Sequence, residues 1–262
     1  ASWCFFKFSK DAAIGVVLFS IFIYFGLTNM PWLPLIFIYG LIGYRIGGFK
    51  LSLTIIASFM FITFTGVLPQ ALLSIYLCGI AVIISFILGA SLGIWAAHND
   101  KVSAFMRPIN DTMQTMPSFV ILIPFVMFFG IGEFTALLAI IAYAFVPAMR
   151  YTEHGLRNLP ETVIEAARMI GCSQAQLLWK VKIPLAMPVI MLGLNQTIMF
   201  GLAMLVIAAL VGTTGLGQLI YIGLSKADFG TGMISGVSIA LIAIIFDRTT
   251  QAWRIKLEKK TQ

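Results

Sequence analysis

Long apolar runs that contain no charged side chain constrain this sequence more than any other feature. A helix needs about 20 apolar residues, within a range of about 17–25, to cross the hydrocarbon core of a bilayer, and five of the eight runs have 17 residues or more. The eight runs are residues 12–30, 31–44, 51–68, 71–97, 118–130, 134–149, 185–211 and 230–246. Runs 31–44 and 118–130 are short, so we expect their ends to extend into neighbouring residues. The pattern predicts an all-α polytopic membrane protein with about eight transmembrane helices.

The composition excludes an ordinary soluble domain. Of 262 residues, 60% are hydrophobic and only 10% are charged, and this leaves too little polar surface to cover a globular core. The net charge of +7 does not indicate nucleic-acid binding, because basic loops are typical of the cytoplasmic face of membrane proteins. The three cysteines are far apart and have no paired spacing, so neither a disulfide framework nor a metal site is expected.

The distribution of basic residues predicts the orientation. With a cytoplasmic N-terminus, eight spans leave residues 1–11, 45–50, 98–117, 150–184 and the tail from 247 inside. These segments hold every Lys and Arg except Lys226. The positive-inside rule therefore places both termini in the cytoplasm of a multi-pass inner-membrane protein. In segment 98–117 the apolar residues recur at helical spacing, which favours a short interfacial helix.

Residues 161–188 form the longest polar interval between strongly apolar segments. Val163, Ile164, Ala167 and Ile170 recur as on one side of an amphipathic helix. Gly171 then offers a break, and Ser173 can cap a second short helix. We expect that second helix to end at Pro184, where a new apolar run begins.

A specific spacing within this interval resembles a known motif. Glu165-Ala166-Ala167 is followed by Gly171 after three residues, and Val181-Lys182-Ile183-Pro184 begins nine residues later. This resembles the EAA loop of ABC-importer permeases, in which Ile and Leu stand where Val181 and Ile183 stand here. The flanking residues 114–132 and 184–197 resemble permeases of glycine betaine/proline/choline importers. The resemblance covers roughly residues 70–252.

The resemblance implies a fold, a function and partners. It implies a core of five spans at 71–252 with an EAA coupling loop at 150–184, preceded by accessory helices at 1–70 and followed by a cytoplasmic tail at 253–262. It implies inward transport of glycine betaine, choline, proline betaine or trimethylamine N-oxide by alternating access. The partners would be a second permease copy, two copies of a separate ATPase and an extracytoplasmic binding protein. ATP and Mg would bind the ATPase, and this chain would be neither an enzyme nor a cofactor carrier.

Three groups of uncharged residues are candidates for a pore or gate. The first lies before run 118–130, the second lies inside run 185–211, and the third belongs to a GLGQ stretch like that of the family. They are Gln114, Thr115 and Pro117; Asn195, Gln196 and Thr197; and Gly215 and Gly217. The polar groups could instead hydrogen-bond between helices, and the glycines could belong to a plain loop.

Three other function classes are an enzyme, an ion-coupled secondary transporter and a passive channel. No metalloprotease, nucleophile-elbow or Walker A motif occurs in the sequence, so an enzyme is not indicated. An ion-coupled secondary transporter usually carries ionisable residues in the middle of its spans, and here they lie in loops or at span ends. Broken helices that bind sodium through backbone carbonyls would escape this test. A passive channel is the third possibility, but no filter-like motif supports it.

Overall fold

The computed structural model describes residues 31–261, and side chains as far as residue 257. The predicted run 12–30 lies outside the described residues. All regular structure in the described part is helical. The elements are α1 (Trp32–Phe64), α2 (Leu68–His98), α3 (Asp100–Thr115), α4 (Ser118–Phe129), α5 (Glu133–Arg157), α6 (Glu161–Met169), α7 (Gln174–Gln176), a π-helical turn (Leu177–Lys182), α8 (Ile183–Ala208), a 3-10 turn (Ala209–Val211), α9 (Leu216–Ser225) and α10 (Phe229–Thr261).

Five helical stretches of the described chain are long and apolar enough to cross a membrane. They are α1, α2, α5, the stretch Gln174–Val211 and the part of α10 as far as Leu257. The helices α3 and α4 meet at an angle of 102° and count as a sixth span only if taken together. The predicted span 118–130 is therefore wrong as a complete span: α4 has 12 residues and is about 18 Å long, well short of the hydrocarbon core.

The helix α1 is a hairpin rather than a straight rod. Gly48 breaks it with φ 77° and ψ −166°. The Ser52 hydroxyl donates a hydrogen bond of 2.9 Å to the carbonyl of Gly40, although the two residues are twelve positions apart. In a straight helix they would be separated by about 18 Å. The two arms of the hairpin correspond to the predicted runs 31–44 and 51–68.

The centre of the molecule is a close bundle of α2, α5 and α8. A Cβ atom added at Gly89 would lie 2.5 Å from the carbonyl oxygen of Phe145, and one at Gly93 would lie 2.6 Å from that of Met149. A Cβ at Gly193 of α8 would lie 2.8 Å from the Tyr151 side chain of α5. Small residues let helix backbones approach closely in membranes, where packing rather than water drives association.

Two helices extend beyond the apolar runs that predicted them. Run 134–149 becomes α5, which continues to Arg157, and run 230–246 becomes α10, which continues to Thr261. Position 252, the predicted end of the core, lies inside α10. Hydropathy shows where apolar residues stop, whereas Arg, Gln, Lys and Glu continue a helix readily in water.

Candidate functional site

The polar interval after α5 folds as two short helices that meet at Gly171. The helix α6 ends at Met169, and Gly171 takes φ +87°, a conformation that other residues rarely adopt. The N–H groups of Gly171 and Cys172 then donate hydrogen bonds to the carbonyls of Arg168 (2.9 Å) and Ala167 (3.3 Å). These bonds close the last turn of α6, so the chain breaks where the sequence predicted.

Ser173 starts the second helix through a reciprocal pair of hydrogen bonds. Its hydroxyl accepts from the N–H of Gln176 at 3.3 Å, and the Gln176 side chain accepts from the N–H of Ser173 at 2.9 Å. This capping box satisfies two of the backbone donors that a helix start leaves free. The predicted N-cap is present.

The prediction that this second helix ends at Pro184 is wrong. One helical stretch of 38 residues runs from Gln174 to Val211. Proline lacks an N–H and its ring clashes with the carbonyl four residues earlier, which normally breaks a helix. Here the turn before Pro184 is widened to π geometry, and the N–H of Ile183 bonds to the carbonyl of Leu178 five residues back. The wider turn accommodates the proline, and the second loop helix is continuous with α8.

The loop exposes large apolar side chains. Met169 is 89% exposed, Ile170 84% and Trp179 66%. With Val163, which is also exposed, we call these residues the coupling patch. An exposed apolar cluster bordered by polar residues is typical of a protein-binding surface.

The residues of the predicted EAA motif all lie in this loop. Glu165, Ala166, Gly171 and Pro184 are exposed, Val181 and Ile183 are half-buried, and Ala167 is buried. Ala167 thus anchors α6 against the body of the protein, while Glu165 and Ala166 face outward.

A polar cavity of about 670 Å³ opens between α3, α5 and α8. Among the predicted pore residues, Gln114 and Gln196 line it. Sequence reasoning did not single out the other residues of its wall. These are Arg107, Asn110, Asp111, Pro147, Arg150, Tyr151, Glu153, His154, Arg157, Asn158 and Phe200.

Ion pairs join α3 to α5 along this cavity. Arg150 forms an ion pair with Asp111 and donates a hydrogen bond to Gln114. Two turns further along α5, Arg157 pairs with Asp100 at 2.8 Å and with Glu153 at 3.1 Å. Both arginines of α5 are therefore fully engaged.

Glu153 is the most buried charged group of the wall. It is 9% exposed and accepts a hydrogen bond of 2.5 Å from the Ser103 hydroxyl on α3. It also pairs with the exposed Arg157 of the next turn, so this carboxylate has partners on both α3 and α5.

The cavity wall also contains an aromatic ring and a buried amide. Phe200 of α8 stacks on Tyr143 of α5 with ring centroids 5.1 Å apart. Asn110 is 2% exposed, and its side-chain oxygen has no hydrogen-bond partner in the described structure. Leaving a buried acceptor unpaired costs about 1–3 kcal/mol of folding free energy, so a ligand or water that donates a hydrogen bond to this oxygen would be favoured.

The other predicted pore residues do not line the cavity. Thr115 bonds back to α3 carbonyls, and Pro117 forms the bend before α4. Thr197 is buried and donates to the carbonyl of Gly193 at 2.8 Å.

Asn195 joins α8 to α10. It donates a hydrogen bond of 2.8 Å to the Asp247 carboxylate and accepts one of 2.5 Å from the Thr250 hydroxyl. Gln251 completes the carboxylate's partners with two donated bonds of 2.8 Å. We call Asn195, Asp247, Thr250 and Gln251 the α8–α10 clamp.

Gly215 and Gly217 lie at the opposite end of α8 from the coupling patch. Gly215 takes φ 127°, and a Cβ there would lie 2.6 Å from the Ser74 hydroxyl, which accepts the N–H of Leu216 at 2.8 Å. A Cβ at Gly217 would lie 3.0 Å from the carbonyl of Leu205. Both glycines allow α9, an apolar helix too short to span a bilayer, to pack against α2 and α8.

The α9–α10 turn is fixed by an aspartate. Thr231 donates from its hydroxyl (2.7 Å) and from its N–H (3.2 Å) to the Asp228 carboxylate. These bonds, with Lys226 nearby, lower the pKa of Asp228 below its usual value. The turn therefore keeps its ionised cap to a lower pH than an unperturbed aspartate would.

Comparison with known proteins identifies the chain. Residues 89–253 match the sequence model of the family described as binding-protein-dependent transport system inner membrane components. The chain belongs to this family. The match spans most of the region that carries the resemblance to ABC-importer permeases, and that resemblance is confirmed.

Several curated relatives are transport permeases, which are translocation components and not enzymes. The permease protein ProW of a glycine betaine/proline betaine transport system from Escherichia coli is 40% identical over 86% of this chain and 64% of its own length. The permease TmoV of a trimethylamine N-oxide system from Pelagibacter ubique is 43% identical over 83% of this chain and 30% of its own length. The permease OpuAB of a glycine betaine system from Bacillus subtilis is 37% identical over 97% of this chain and 90% of its own length. The chain thus spans less than two thirds of the first two relatives.

Solved structures show the same fold. The MetNI methionine ABC transporter in an inward-facing conformation matches 73% of this chain with a TM-score of 0.64 and 18% identity. A second crystal form matches 72% with a TM-score of 0.61 and 20% identity. The all-helical permease fold expected from the sequence is confirmed.

Proposed function

We propose that this chain is the transmembrane subunit of an ATP-driven ABC importer for a small methylated amine osmolyte. The observation that carries the proposal is the coupling patch, which lies on a loop whose second helix is continuous with the core helix α8. The printed names of the relatives support the solute class: glycine betaine, proline betaine or trimethylamine N-oxide, with choline as a further candidate.

The mechanism follows from the continuity of the helix. A separate ATPase, which holds ATP and Mg, closes and displaces α6 and α7 through the coupling patch. Because α7 passes into α8 without a hinge, the displacement reaches Phe200 and the cavity wall. The backbone freedom of Gly171 lets α6 take its own angle to α7, and the buried Ala167 holds α6 in place. Glu165 presents a charge to the partner, and the small side chain of Ala166 allows the partner to approach closely.

The orientation follows from the basic residues. The coupling patch and the cavity mouth lie at the same end of α5 and α8, together with Arg107, Arg157 and Lys180. Placing that end in the cytoplasm satisfies the positive-inside rule and puts both termini there. The loop around Gly215 and Gly217 then faces outward, where it serves as a gate and as the docking region of a substrate-binding protein.

Two copies of the permease with two ATPase copies complete the machine, since one chain provides a single coupling loop. Alternating access then opens the central path to the binding protein and to the cytoplasm in turn.

The proposal is tested by co-purification with the ATPase encoded with this permease. The variant Met169→Asp/Ile170→Asp places two charges on the coupling patch, where each apolar side chain is almost fully exposed and folding should not suffer. We expect this variant to lose the ATPase from the purified complex. The matched control is Ile255→Asp, another exposed apolar position, on the extension of α10 away from the loop. Equal recovery of the ATPase with both variants would contradict the proposal.

A further inference from the structure

We propose that the cavity between α3, α5 and α8 is a binding site for one small methylated zwitterion. Its carboxylate binds Arg107, and its quaternary ammonium group lies against Phe200 and Tyr151. The choice of solute class rests on the proposed function, but the charges and the cavity stand independently of it.

Arg107 is the arginine of the cavity wall that has no ion-pair partner among the residues that the structure describes. Three arginines line the cavity, facing the carboxylates of Asp111 and Glu153. The ion pairs described above engage Arg150 and Arg157. Arg107 forms no ion pair with any residue that the structure describes. Counted with Asp100, the second partner of Arg157, three arginines meet three carboxylates, so the cluster is neutral as a whole. Arg107 is nevertheless the arginine that has no carboxylate beside it, and a guanidinium is well suited to holding one.

The inner end of the cavity suits the other end of a zwitterion. A quaternary ammonium group has no N–H to donate, so it is recognised by aromatic faces. Phe200 and Tyr151 provide such faces, and Tyr143 stacks behind Phe200. The unpartnered oxygen of Asn110, one turn along α3 from Arg107, adds the negative end of an amide dipole.

The depth of the cavity indicates what the site does. Its wall follows α5 from Asn158 to Pro147, a rise of about 16 Å. One turn beyond Pro147, Tyr143 stacks on Phe200 of the wall. A cavity of about 670 Å³ leaves room for the solute and its hydration water. The site is the last one a solute occupies before release on the side of the coupling patch.

The experiment measures protection of a cysteine placed in the wall. Gln196→Cys is introduced into full-length chain carrying Cys4→Ser and Cys172→Ser, since Cys78 is buried. The purified protein in lipid nanodiscs is modified with a small methanethiosulfonate, with and without glycine betaine. We expect glycine betaine to slow the modification several-fold and saturably. Absence of any slowing would overturn the site.

Variants separate the two ends of the ligand. Arg107→Gln should abolish protection by glycine betaine but leave protection by choline, which has no carboxylate, unchanged. Arg107→Lys should restore part of the protection, and Lys101→Gln, on the same helix but outside the wall, should change nothing. Equal losses for both solutes, or equal effects of Arg107→Gln and Lys101→Gln, would overturn the carboxylate assignment.

The measurement needs no ATP, ATPase or binding protein. If glycine betaine protects the cysteine but no ATP-driven uptake is found, the binding site is supported and the proposed importer function is wrong. If ATP-driven uptake occurs but the cysteine is not protected, the importer function is supported and the binding site is wrong.

Discussion

Gly89 and Gly93 stand one turn apart on the face of α2 that meets α5. The atoms nearest to an added Cβ include the backbone carbonyl oxygens of Phe145 and Met149, at 2.5 and 2.6 Å. Backbone atoms inside a helix cannot rotate away as a flexible side chain can. Any larger residue must therefore push the two helices apart.

Gly89→Ala should lower the unfolding free energy by about 1–3 kcal/mol, the usual cost of overpacking. The matched control is Gly79→Ala on the same helix, where an added Cβ meets nothing within 4 Å. That change should be neutral or slightly stabilising, since Ala favours a helix more than Gly does. Denaturant unfolding in detergent compares the two, and similar stabilities would show that α2 and α5 are not in close contact.

Gly171 differs from these glycines because its backbone conformation, and not the space around it, disfavours a larger residue. An added Cβ would meet nothing within 4 Å, but φ is +87°. Gly171→Asn should keep much of the transport activity, because Asn tolerates this region. Gly171→Val should lose most of it at an unchanged level in the membrane. Uptake normalised to membrane protein distinguishes them, and normal uptake by the valine variant would exclude the loop break from the mechanism.

The sequence was informative about residues whose role depends on spacing along the chain. The helix that holds Glu165 and Ala167 and the break at Gly171 could be located because the loop motif is contiguous. The cavity wall could not, because Asn110, Tyr151 and Phe200 come from three helices and meet only through helix packing. Of the adjacent candidates in α8, Gln196 lines the cavity whereas Asn195 faces α10. Neighbouring residues of a helix point about 100° apart, and the sequence alone does not show which of them faces the cavity.

At the scale of elements, hydropathy located the helices but not their ends or bends. The apolar run stops before Arg150, yet α5 continues because Thr152, Gly155 and Leu156 are buried on one side of the extension, and packing stabilises a helix more than propensity does. Pro184 predicts a break, yet the π turn before it lets α7 continue into α8. Gly48 was part of a predicted loop and proved to be the tip of the α1 hairpin.

The α8–α10 clamp makes α10 move with α8. Thr250→Val removes the hydroxyl that donates to Asn195, and it should cost about 0.5–2 kcal/mol because the amide oxygen is left buried and unpaired. Thr249→Val is the matched control, since that hydroxyl donates only within α10, to the carbonyl of Ile245. In a double-mutant cycle, Thr250→Val and Asn195→Leu should be non-additive, and Thr249→Val with Asn195→Leu additive. Additivity in both pairs would show that the clamp bond is absent.

At the scale of the whole molecule, the two ends of the bundle differ in chemistry. One end combines the coupling patch, the ion-paired cavity mouth and most of the basic residues. The other combines glycine-dependent packing of α9 with the short α9–α10 turn. One helical stretch from Gln174 to Val211 joins these ends. In the proposed mechanism, a push on one side changes access on the other through this stretch.

The central claim is that energy comes from an ATPase and cargo from a binding protein. The most direct test is uptake of labelled glycine betaine by proteoliposomes that contain the permease co-purified with its ATPase, with ATP sealed inside or omitted and the binding protein added or withheld. The account predicts uptake only when ATP and the binding protein are both present, reduced in competition by choline or trimethylamine N-oxide. Uptake by the permease alone, driven by a sodium or proton gradient, would contradict it and identify a secondary transporter.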